Sequence, residues 1–302
     1  MTSEPTYAAL LGEGHAQLER AGIAGAALDA RILLEFASRC DHTQLIARSE
    51  EHPSAEAIQK YSDALEQRRR RVPLAYIIGA KEFWSLTFQV NAATLIPRPE
   101  SEHLVEEALK LFPERATPGR VLDLGTGSGC LLISILSERP NLFGVGIDLS
   151  IAALQVAAEN SRRHGVAGRA AFLQGDWAQA ITGAWDLIVC NPPYLSAGEL
   201  EAAQPEVREH EPHLALSPGT DGLDAFRKIA PALHDLLKPR GVAVLEIGST
   251  QPTSVSAILE SAGLGSMTVR PDLAGLPRVL IAQKTLTNKQ ARTSKKRLES
   301  TS

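Results

Sequence analysis

The sequence has few cysteines, no long apolar run and no net positive charge outside its C-terminus. Its three cysteines (Cys40, Cys130 and Cys190) lie far apart and lack C-x-x-C spacing, so we expect neither a disulfide framework nor a metal site. Nowhere do about 18 apolar residues follow one another, which excludes a predicted membrane span. The first residues lack the basic start and apolar run of a secretory signal. We therefore expect a cytoplasmic protein.

Basic side chains are concentrated at the end of the chain. The 302 residues carry a formal net charge of −4. Residues 284–302 hold six basic side chains and one acidic side chain, a local charge of +5 that leaves −9 for the rest. An acidic body argues against a broad surface for nucleic acid. The tail 285–302 is polar and nearly free of apolar residues, so we expect it to be disordered.

The pattern of apolar residues divides the chain into a helical part and an α/β part. Residues 1–80 show helical spacing without a strand pattern and predict a small domain of three helices. Alternation from Phe83 to Val90 predicts a hairpin within a linking segment, 81–100. Residues 101–284 then alternate strands with helices, which predicts a parallel, doubly wound α/β sheet. Such sheets bind ligands beyond the carboxyl ends of their strands.

A glycine-rich loop follows the first predicted strand of this sheet. It reads Asp123-Leu-Gly-Thr-Gly-Ser-Gly129, and its glycines allow a tight turn and the close approach of a ligand. Cys130 stands where a dinucleotide fingerprint has its third glycine, which weakens a nicotinamide interpretation. The Asp123 carboxylate would repel a pyrophosphate and suits a ligand with an ammonium group. S-adenosylmethionine is such a ligand, since it carries an ammonium, a sulfonium and no phosphate.

The next two predicted strands end in side chains that suit the same cofactor. Asp148 ends the second strand, where a carboxylate can accept hydrogen bonds from both ribose hydroxyls. Asp176 and Trp177 follow the third strand; the indole can cover an adenine face and the carboxylate can accept from its amine. Each feature alone has an ordinary explanation, as a tight turn, a helix cap or a core tryptophan. Their occurrence at successive strand ends favours a cofactor site.

The fourth predicted strand ends in Asn191-Pro-Pro-Tyr194, a segment poor in hydrogen-bond donors. Two prolines remove two N–H groups, so the Asn191 side-chain oxygen and nearby carbonyls form a row of acceptors. That row suits a substrate with an NH₂ group, and Tyr194 offers a ring face to a flat group. The lone pair of a planar amide nitrogen is delocalised, and holding both N–H bonds would orient it towards a methyl donor. Without these neighbours, the segment would be interpreted as a rigid surface turn.

These motifs resemble those of class I methyltransferases that act on planar nitrogens. Four further blocks resemble the HemK/PrmC family, the release factor glutamine methyltransferases. The blocks are Ile77-Ile-Gly79 with Glu82-Phe83, Leu95-Ile-Pro-Arg-Pro-Glu-Ser-Glu102, Glu211-Pro-x-x-Ala-Leu216 and Gly219-Thr-Asp-Gly-Leu223. The resemblance covers about residues 5–283. Ser101 stands where the family usually has threonine, Leu195 where isoleucine is common and Ala75-Tyr76 where Gln-Tyr is frequent, and we expect none of these to touch the chemistry.

The resemblance implies a Rossmann-like class I fold with a small N-terminal helical domain. It implies methyl transfer from S-adenosyl-L-methionine, leaving S-adenosyl-L-homocysteine, to the side-chain nitrogen (N5) of glutamine in the Gly-Gly-Gln motif of peptide chain release factors. The helical domain would dock the release factor. The expected cofactor-binding residues are Asp123, Gly125, Thr126, Gly127, Ser128, Gly129, Asp148, Asp176, Trp177 and Asn191. The expected substrate-binding residues are Asn191, Pro192, Pro193 and Tyr194; of these, Asn191 would orient the amide, Pro192 would supply a backbone acceptor and Tyr194 would pack on it.

An N6-adenine methyltransferase for DNA or RNA is the main alternative, because it can use the same acceptor row on the adenine amine. Such an enzyme must extract its base and usually carries a basic surface or a recognition domain. This body is acidic, and its one basic run, Arg68–Arg71, ends a predicted helix, where cations offset the dipole. A binding module without catalysis is a third possibility, which the intact acceptor row disfavours. Glu246, at the end of a later strand, fits either a carboxylate supporting the site or a surface residue.

Overall fold

The helical part of the chain contains five helices among its described residues. The computed structural model describes residues 4–179, 181–216 and 219–284, so the predicted tail 285–302 lies outside the described residues. The helices are α1 (Tyr7–Arg20), α2 (Ala26–Ser38), α3 (His42–Ala47), α4 (Ala55–Arg69) and α5 (Leu74–Ile78). The side chains of Thr6, Asp41 and Ser54 accept hydrogen bonds from the first turns of α1, α3 and α4. The prediction of three helices misses α3 and α5, which at six and five residues are too short to show a helical period.

Helices α1, α2 and α4 enclose the core of the first of two compact units, which contains the chain up to Ala80 and the segment Gln204–His210. Its most deeply buried side chains are Leu18, Leu33, Leu34 and Tyr61. Gly14 on α1 faces the ring of Tyr61 on α4, and a Cβ at Gly14 would lie 1.9 Å from the tyrosine Oη. The two helices therefore approach each other at a point where only glycine fits.

The predicted hairpin consists of β1 (Ala80–Phe83) and β2 (Leu86–Gln89). Its turn residues, Trp84 and Ser85, have φ of +53° and +58°, as a two-residue turn of type I′ requires. The carboxylate of Glu102 accepts a hydrogen bond of 2.8 Å from the backbone N–H of Trp84. The side chain of Asn160 accepts from Gln89 N and donates to Gln89 O. These contacts hold the hairpin within the second unit, which contains Lys81–Ala203 and the chain from Glu211 onward.

The described residues of the second unit form a seven-stranded sheet in the order β5-β4-β3-β6-β7-β9-β8. The strands are β3 (Gly119–Leu124), β4 (Leu142–Asp148), β5 (Ala170–Gln174), β6 (Trp185–Cys190), β7 (Leu237–Glu246), β8 (Leu264–Pro271) and β9 (Pro277–Lys284). Strands β3 to β7 are parallel, and β6 pairs with β3, as the doubly wound prediction requires. The sheet is mostly parallel, as predicted, and the exception is β9, which runs antiparallel to β7 and β8. The connection from β8 to β9 is too short for the crossover that parallel strands need.

Helices cover both faces of this sheet. The described helices of the second unit are α6 (Glu102–Lys110), α7 (Cys130–Glu138), α8 (Ile151–Arg163), α9 (Ala197–Ala202), α11 (Asp224–Leu236) and α12 (Pro252–Ser261). The remaining helix, α10 (Pro205–His210), belongs to the first unit. Alternate residues of β3 point to opposite faces. Leu122 and Leu124 pack in a core with α11 and α12, whereas Val121 packs in a second core with α6 and α7. Asp123 shares the face of Val121 and is fully buried there.

The sequence pattern does not reveal that α10 belongs with the helical unit. The carboxylate of Glu206 accepts a hydrogen bond of 2.9 Å from Arg68 Nη1 and a longer one, 3.3 Å, from Arg71 Nη1. Arg68 also donates to Asp29 through Nε at 2.7 Å. The side chains of Arg68, Asp29 and Glu206 are all largely buried. Arg69 and Arg70 pair with Glu66 at 2.9 Å each, so all four arginines of the basic run at the end of α4 bind carboxylates of their own chain.

Candidate active site

A cavity of about 580 Å³ lies where the carboxyl ends of β3, β4, β5 and β6 meet. Seven of the predicted site residues line it: Gly125, Gly127, Asp148, Asp176, Trp177, Asn191 and Pro193. A volume of this size is typical of small-molecule sites. The parallel strands therefore bring together residues that lie up to 68 positions apart in the chain. The cavity lies at the carboxyl ends of the strands, where the strand order reverses between β3 and β6.

The three glycines of the loop after β3 have different surroundings. Gly125 has φ of +74°, and a Cβ there would lie 3.3 Å from the ring of Trp177, so the indole covers this part of the loop. A Cβ on Gly127 would meet nothing within 4 Å, and this residue faces the cavity. Gly129 begins α7 with φ of +81°, and a Cβ there would lie 3.2 Å from Ala157 Cβ. Gly127 thus leaves open space at the cavity and Gly125 leaves room for the Trp177 indole, whereas Gly129 allows α7 and α8 to pack closely.

Asp148 ties the glycine loop to the end of β4. Its Oδ2 accepts a hydrogen bond of 2.9 Å from Gly127 N, and its Oδ1 accepts one of 2.9 Å from Ser150 N. The cap of α8 is the side chain of Ser150, which accepts from Ala153 N. The helix-cap explanation of Asp148 is therefore insufficient. Each oxygen of the carboxylate retains a lone pair for a ligand in the cavity.

Asp123 lies behind the loop and does not line the cavity. Its Oδ2 accepts a hydrogen bond of 2.7 Å from Thr126 Oγ1, while its Oδ1 has no hydrogen-bond partner among the described residues. Burial raises the pKa of this carboxyl to about 7, and the charge of Asp148 adds to the increase. Its direct contact with a ligand remains a prediction, because strand alternation turns its side chain towards α6 and α7. Thr126, Ser128 and Gly129 are also outside the cavity lining.

The side chain of Asn191 is held by a buried network. Its Nδ2 donates to Ser101 Oγ at 3.0 Å, and Ser101 Oγ donates to Glu246 Oε2 at 2.6 Å. The other carboxylate oxygen, Glu246 Oε1, accepts from Tyr194 Oη at 2.9 Å. Arg278 Nη1 donates to Tyr194 Oη over 3.4 Å. Ser101 is 2% exposed and Glu246 is 1% exposed, so solvent does not compete for these bonds.

This network corrects one expectation from the sequence, for Ser101, and decides between the two explanations left open for Glu246. Ser101 was expected to lie away from the chemistry, yet its hydroxyl contacts the Asn191 amide. Glu246 is a buried carboxylate supporting the site and not a surface residue. Burial raises the pKa values of Glu246 and of Tyr194, so the phenol stays neutral. Tyr194 and Pro192 do not line the cavity, and their contacts with a substrate remain predictions.

Gln251 is a further residue that the sequence analysis missed. Its Nε2 donates to Tyr194 O at 2.9 Å and to Gly222 O at 3.3 Å, and its Oε1 accepts from Gly248 N at 3.0 Å. A Cβ on Gly222 would lie 2.4 Å from Tyr194 O, so glycine is needed where these segments meet. Gln251 therefore holds the Asn191–Tyr194 segment against the loop that precedes α11.

Two of the family-like blocks contact each other within the second unit. Glu211 Oε2 accepts a hydrogen bond from Ile96 N, and its Oε1 pairs with the guanidinium of Arg98. Asn160 similarly joins the glycine loop to the hairpin, since its Nδ2 donates to Ser128 O at 2.9 Å as well as to Gln89 O. Of the supporting residues Ser101, Glu246 and Gln251, only Glu246 could have been found from the sequence, because it ends a predicted strand as Asp148 does.

The described residues contain neither a metal-binding cluster nor a helix that could cross a membrane. Among residues 4–179, 181–216 and 219–284, no three His, Cys, Asp or Glu side chains come together in a way that could hold a metal ion. In the same ranges, no helix has both the length and the apolar character that crossing a bilayer requires.

Both the helical part and the α/β part of the chain match known protein families. A family model of the PrmC N-terminal domain matches residues 9–79, and a model described as methyltransferase small domain matches residues 102–215. The fold is similar to that of a methyltransferase from Pyrococcus furiosus, with a TM-score of 0.51 and 16% identity over 73% of this chain and 100% of the other. The fold and the site define a class I methyltransferase, an enzyme class that uses S-adenosylmethionine.

Close relatives narrow this class to one family. The release factor glutamine methyltransferase of Caulobacter vibrioides is 43% identical over 89% of this chain and 93% of its own length. That of Cereibacter sphaeroides is 46% identical over 88% of this chain and 94% of its own length. The chain belongs to the release factor glutamine methyltransferase family, as the resemblance in its sequence predicts.

Proposed function

We propose that this enzyme methylates the side-chain amide nitrogen (N5) of the glutamine in the Gly-Gly-Gln motif of peptide chain release factors. The observation that carries the proposal is the orientation of Asn191. Its Nδ2 is used on Ser101, so its Oδ1 is the end of the amide that can accept a hydrogen bond at the cavity. An acceptor at this position suits a substrate with an N–H group.

The cavity fits S-adenosylmethionine, which supplies a reactive methyl group on its sulfonium when bound. Asp148 would accept hydrogen bonds from the ribose hydroxyls, and Asp176 would accept from the adenine amine. The Trp177 ring would cover the adenine, and the bare backbone of Gly125 and Gly127 would let the ligand approach the loop. The lining holds three carboxylates, Asp148, Asp176 and Asp224, against one basic side chain, Lys228. This balance suits hydroxyl and amine groups more than a pyrophosphate.

The remaining chemistry requires orientation more than it requires a base. Asn191 Oδ1 and the carbonyl of Pro192 would hold the two N–H bonds of the glutamine amide, with Tyr194 packed beside it. That grip turns the nitrogen lone pair towards the methyl group, and such positioning can lower a barrier by up to about 7–11 kcal/mol. The proton leaves after the nitrogen has become cationic, so no strongly basic side chain is needed.

We assign the docking of the release factor to the helical unit. Support comes from the match of the PrmC N-terminal domain to residues 9–79 and from the names of the relatives. The relatives do not favour the N6-adenine alternative, and the charge of −9 over residues 1–283 offers little attraction for nucleic acid. Three free cysteines agree with a reducing, cytoplasmic location.

The test is methyl transfer from labelled S-adenosylmethionine to unmethylated release factor, duplex DNA and structured RNA, each offered separately. We expect one added methyl group on the Gly-Gly-Gln glutamine, located by peptide mass mapping. A release factor in which that glutamine is replaced by alanine is the matched control and should stay unlabelled. Label that appears only in nucleic acid would overturn the proposal in favour of the adenine alternative.

A further inference from the structure

Two lines of hydrogen bonds converge on the carboxylate of Glu246. One runs from Asn191 through Ser101, and the other runs from Arg278 through Tyr194. In both lines every donor points towards Glu246, and each of its two oxygens receives one bond. An ionised carboxylate can only accept hydrogen bonds, so it sets the direction of each line that ends on it.

The Ser101 hydroxyl has one proton, and that proton is used on Glu246 at 2.6 Å. Its oxygen can therefore only accept on the side of Asn191. A serine without such a neighbour could donate to the amide oxygen of Asn191 or accept from the amide nitrogen. The two arrangements would present opposite ends of the Asn191 amide to the cavity, and only one of them accepts a substrate N–H.

We propose that Glu246 is a positioning residue, which through the Ser101 hydroxyl determines that Asn191 presents Oδ1 to the cavity. The inference rests on the proposed function, because a substrate N–H group is what requires an acceptor there.

Because Ser101 and Glu246 are buried, the Ser101 hydroxyl keeps donating to Glu246. Ser101 and Glu246 are almost fully buried, so water does not offer the hydroxyl another acceptor. The second oxygen of Glu246 is held by Tyr194, whose hydroxyl also lies within 3.4 Å of Arg278. Arg278 in turn pairs with Asp272 at 3.3 Å. Burial raises the pKa of Glu246, and the bonds from Ser101 and Tyr194 and the charge of Arg278 act against that increase.

The experiment compares kcat and KM for the release factor in the wild type, Ser101→Thr, Ser101→Ala, Glu246→Gln and the double variant Ser101→Ala/Glu246→Gln. Ser101→Thr keeps the hydroxyl and should stay within about twofold of the wild type. Ser101→Ala and Glu246→Gln should each lower kcat by roughly 10- to 100-fold, the range expected for losing one oriented hydrogen bond in the transition state. Calorimetry should show S-adenosylmethionine affinity within about threefold of the wild type in all variants.

The double variant distinguishes a positioning role from a structural one. If Glu246 acts through Ser101, the double variant should lose about as much kcat as Ser101→Ala alone. Losses that multiply, or a Ser101→Thr variant as impaired as Ser101→Ala, would overturn the inference. Full activity of Ser101→Ala and Glu246→Gln beside an active wild type would overturn it while leaving the proposed function intact. A wild type that never labels the release factor would overturn the proposed function, and this inference with it.

Discussion

The carboxylate of Asp148 accepts a hydrogen bond of 2.9 Å from the backbone N–H of Gly127, which lies 21 positions earlier in the chain. The bond joins the ends of two neighbouring parallel strands, because the glycine loop follows β3 and Asp148 ends β4. One side chain thereby shapes the loop and remains available to a ligand in the same cavity. Changes at Asp148 should thus act on cofactor binding before they act on chemistry.

Asp148→Ala should weaken the binding of S-adenosylmethionine by roughly 10- to 100-fold, because it removes the ribose acceptor and frees the loop. Asp148→Asn, which keeps one acceptor oxygen, should have an intermediate effect. Isothermal titration calorimetry measures both affinities directly. Unchanged affinity in Asp148→Ala would show that Asp148 only shapes the loop.

Asn191→Ala should lower kcat by at least about 100-fold, since it removes the acceptor that orients the substrate amide. Cofactor affinity should remain within about threefold, because Asp148, Asp176 and Trp177 are untouched. Single-turnover methyl transfer beside calorimetry separates the two quantities. An active Asn191→Ala variant would refute the role of this side chain in orienting the substrate.

Asp123→Asn should change how stability depends on pH. The pKa of Asp123 is about 7 in the folded chain against an ordinary 3.8, so between about pH 4 and 7 the unfolded chain releases a proton that the folded chain keeps. The contribution of Asp123 is thus fully present below about pH 4 and is lost as pH rises through 7. From pH 5 to pH 8, the unfolding free energy of Asp123→Asn should therefore rise by about 1–3 kcal/mol relative to that of the wild type.

Denaturant titrations of the cofactor-free protein at these two pH values give the comparison. The variant keeps an oxygen that can accept from Thr126, so the loop contact persists. An equal difference in unfolding free energy at both pH values would mean that the carboxyl titrates normally.

Gly14→Ala should destabilise the helical unit by about 1–3 kcal/mol, because the new Cβ would overlap the Tyr61 hydroxyl. Gly12→Ala is the matched control on the same helix. A Cβ at Gly12 meets nothing within 4 Å, so this variant should gain about 0.5–1 kcal/mol from helix propensity. Thermal unfolding of the two single variants decides the comparison, and similar shifts in both would contradict the close contact of α1 with α4.

Local patterns in the sequence were sufficient for much of the fold. Helical spacing, the alternation around Phe83 and the succession of strands and helices depend on neighbouring residues, and each was recovered in the structure. The antiparallel direction of β9 could not be predicted, because the alternation of side chains along a strand is the same whichever way the strand runs. The sequence pattern also does not predict that α10 belongs to the helical unit, because this depends on the pairing of Glu206 with Arg68, 138 positions away.

The site shows the same division. By themselves, the residues determined that a glycine loop, Asp148, Trp177 and the Asn191–Tyr194 segment follow successive strands, because parallel strands end at one edge of a sheet. Only the tertiary structure decided that Ser101 meets Glu246, 145 positions later, and that Asp123 is fully buried outside the cavity lining. Such contacts depend on the packing of distant elements. A sequence lists the donors and acceptors, whereas the folded chain decides which of them meet and in which direction each hydrogen bond points.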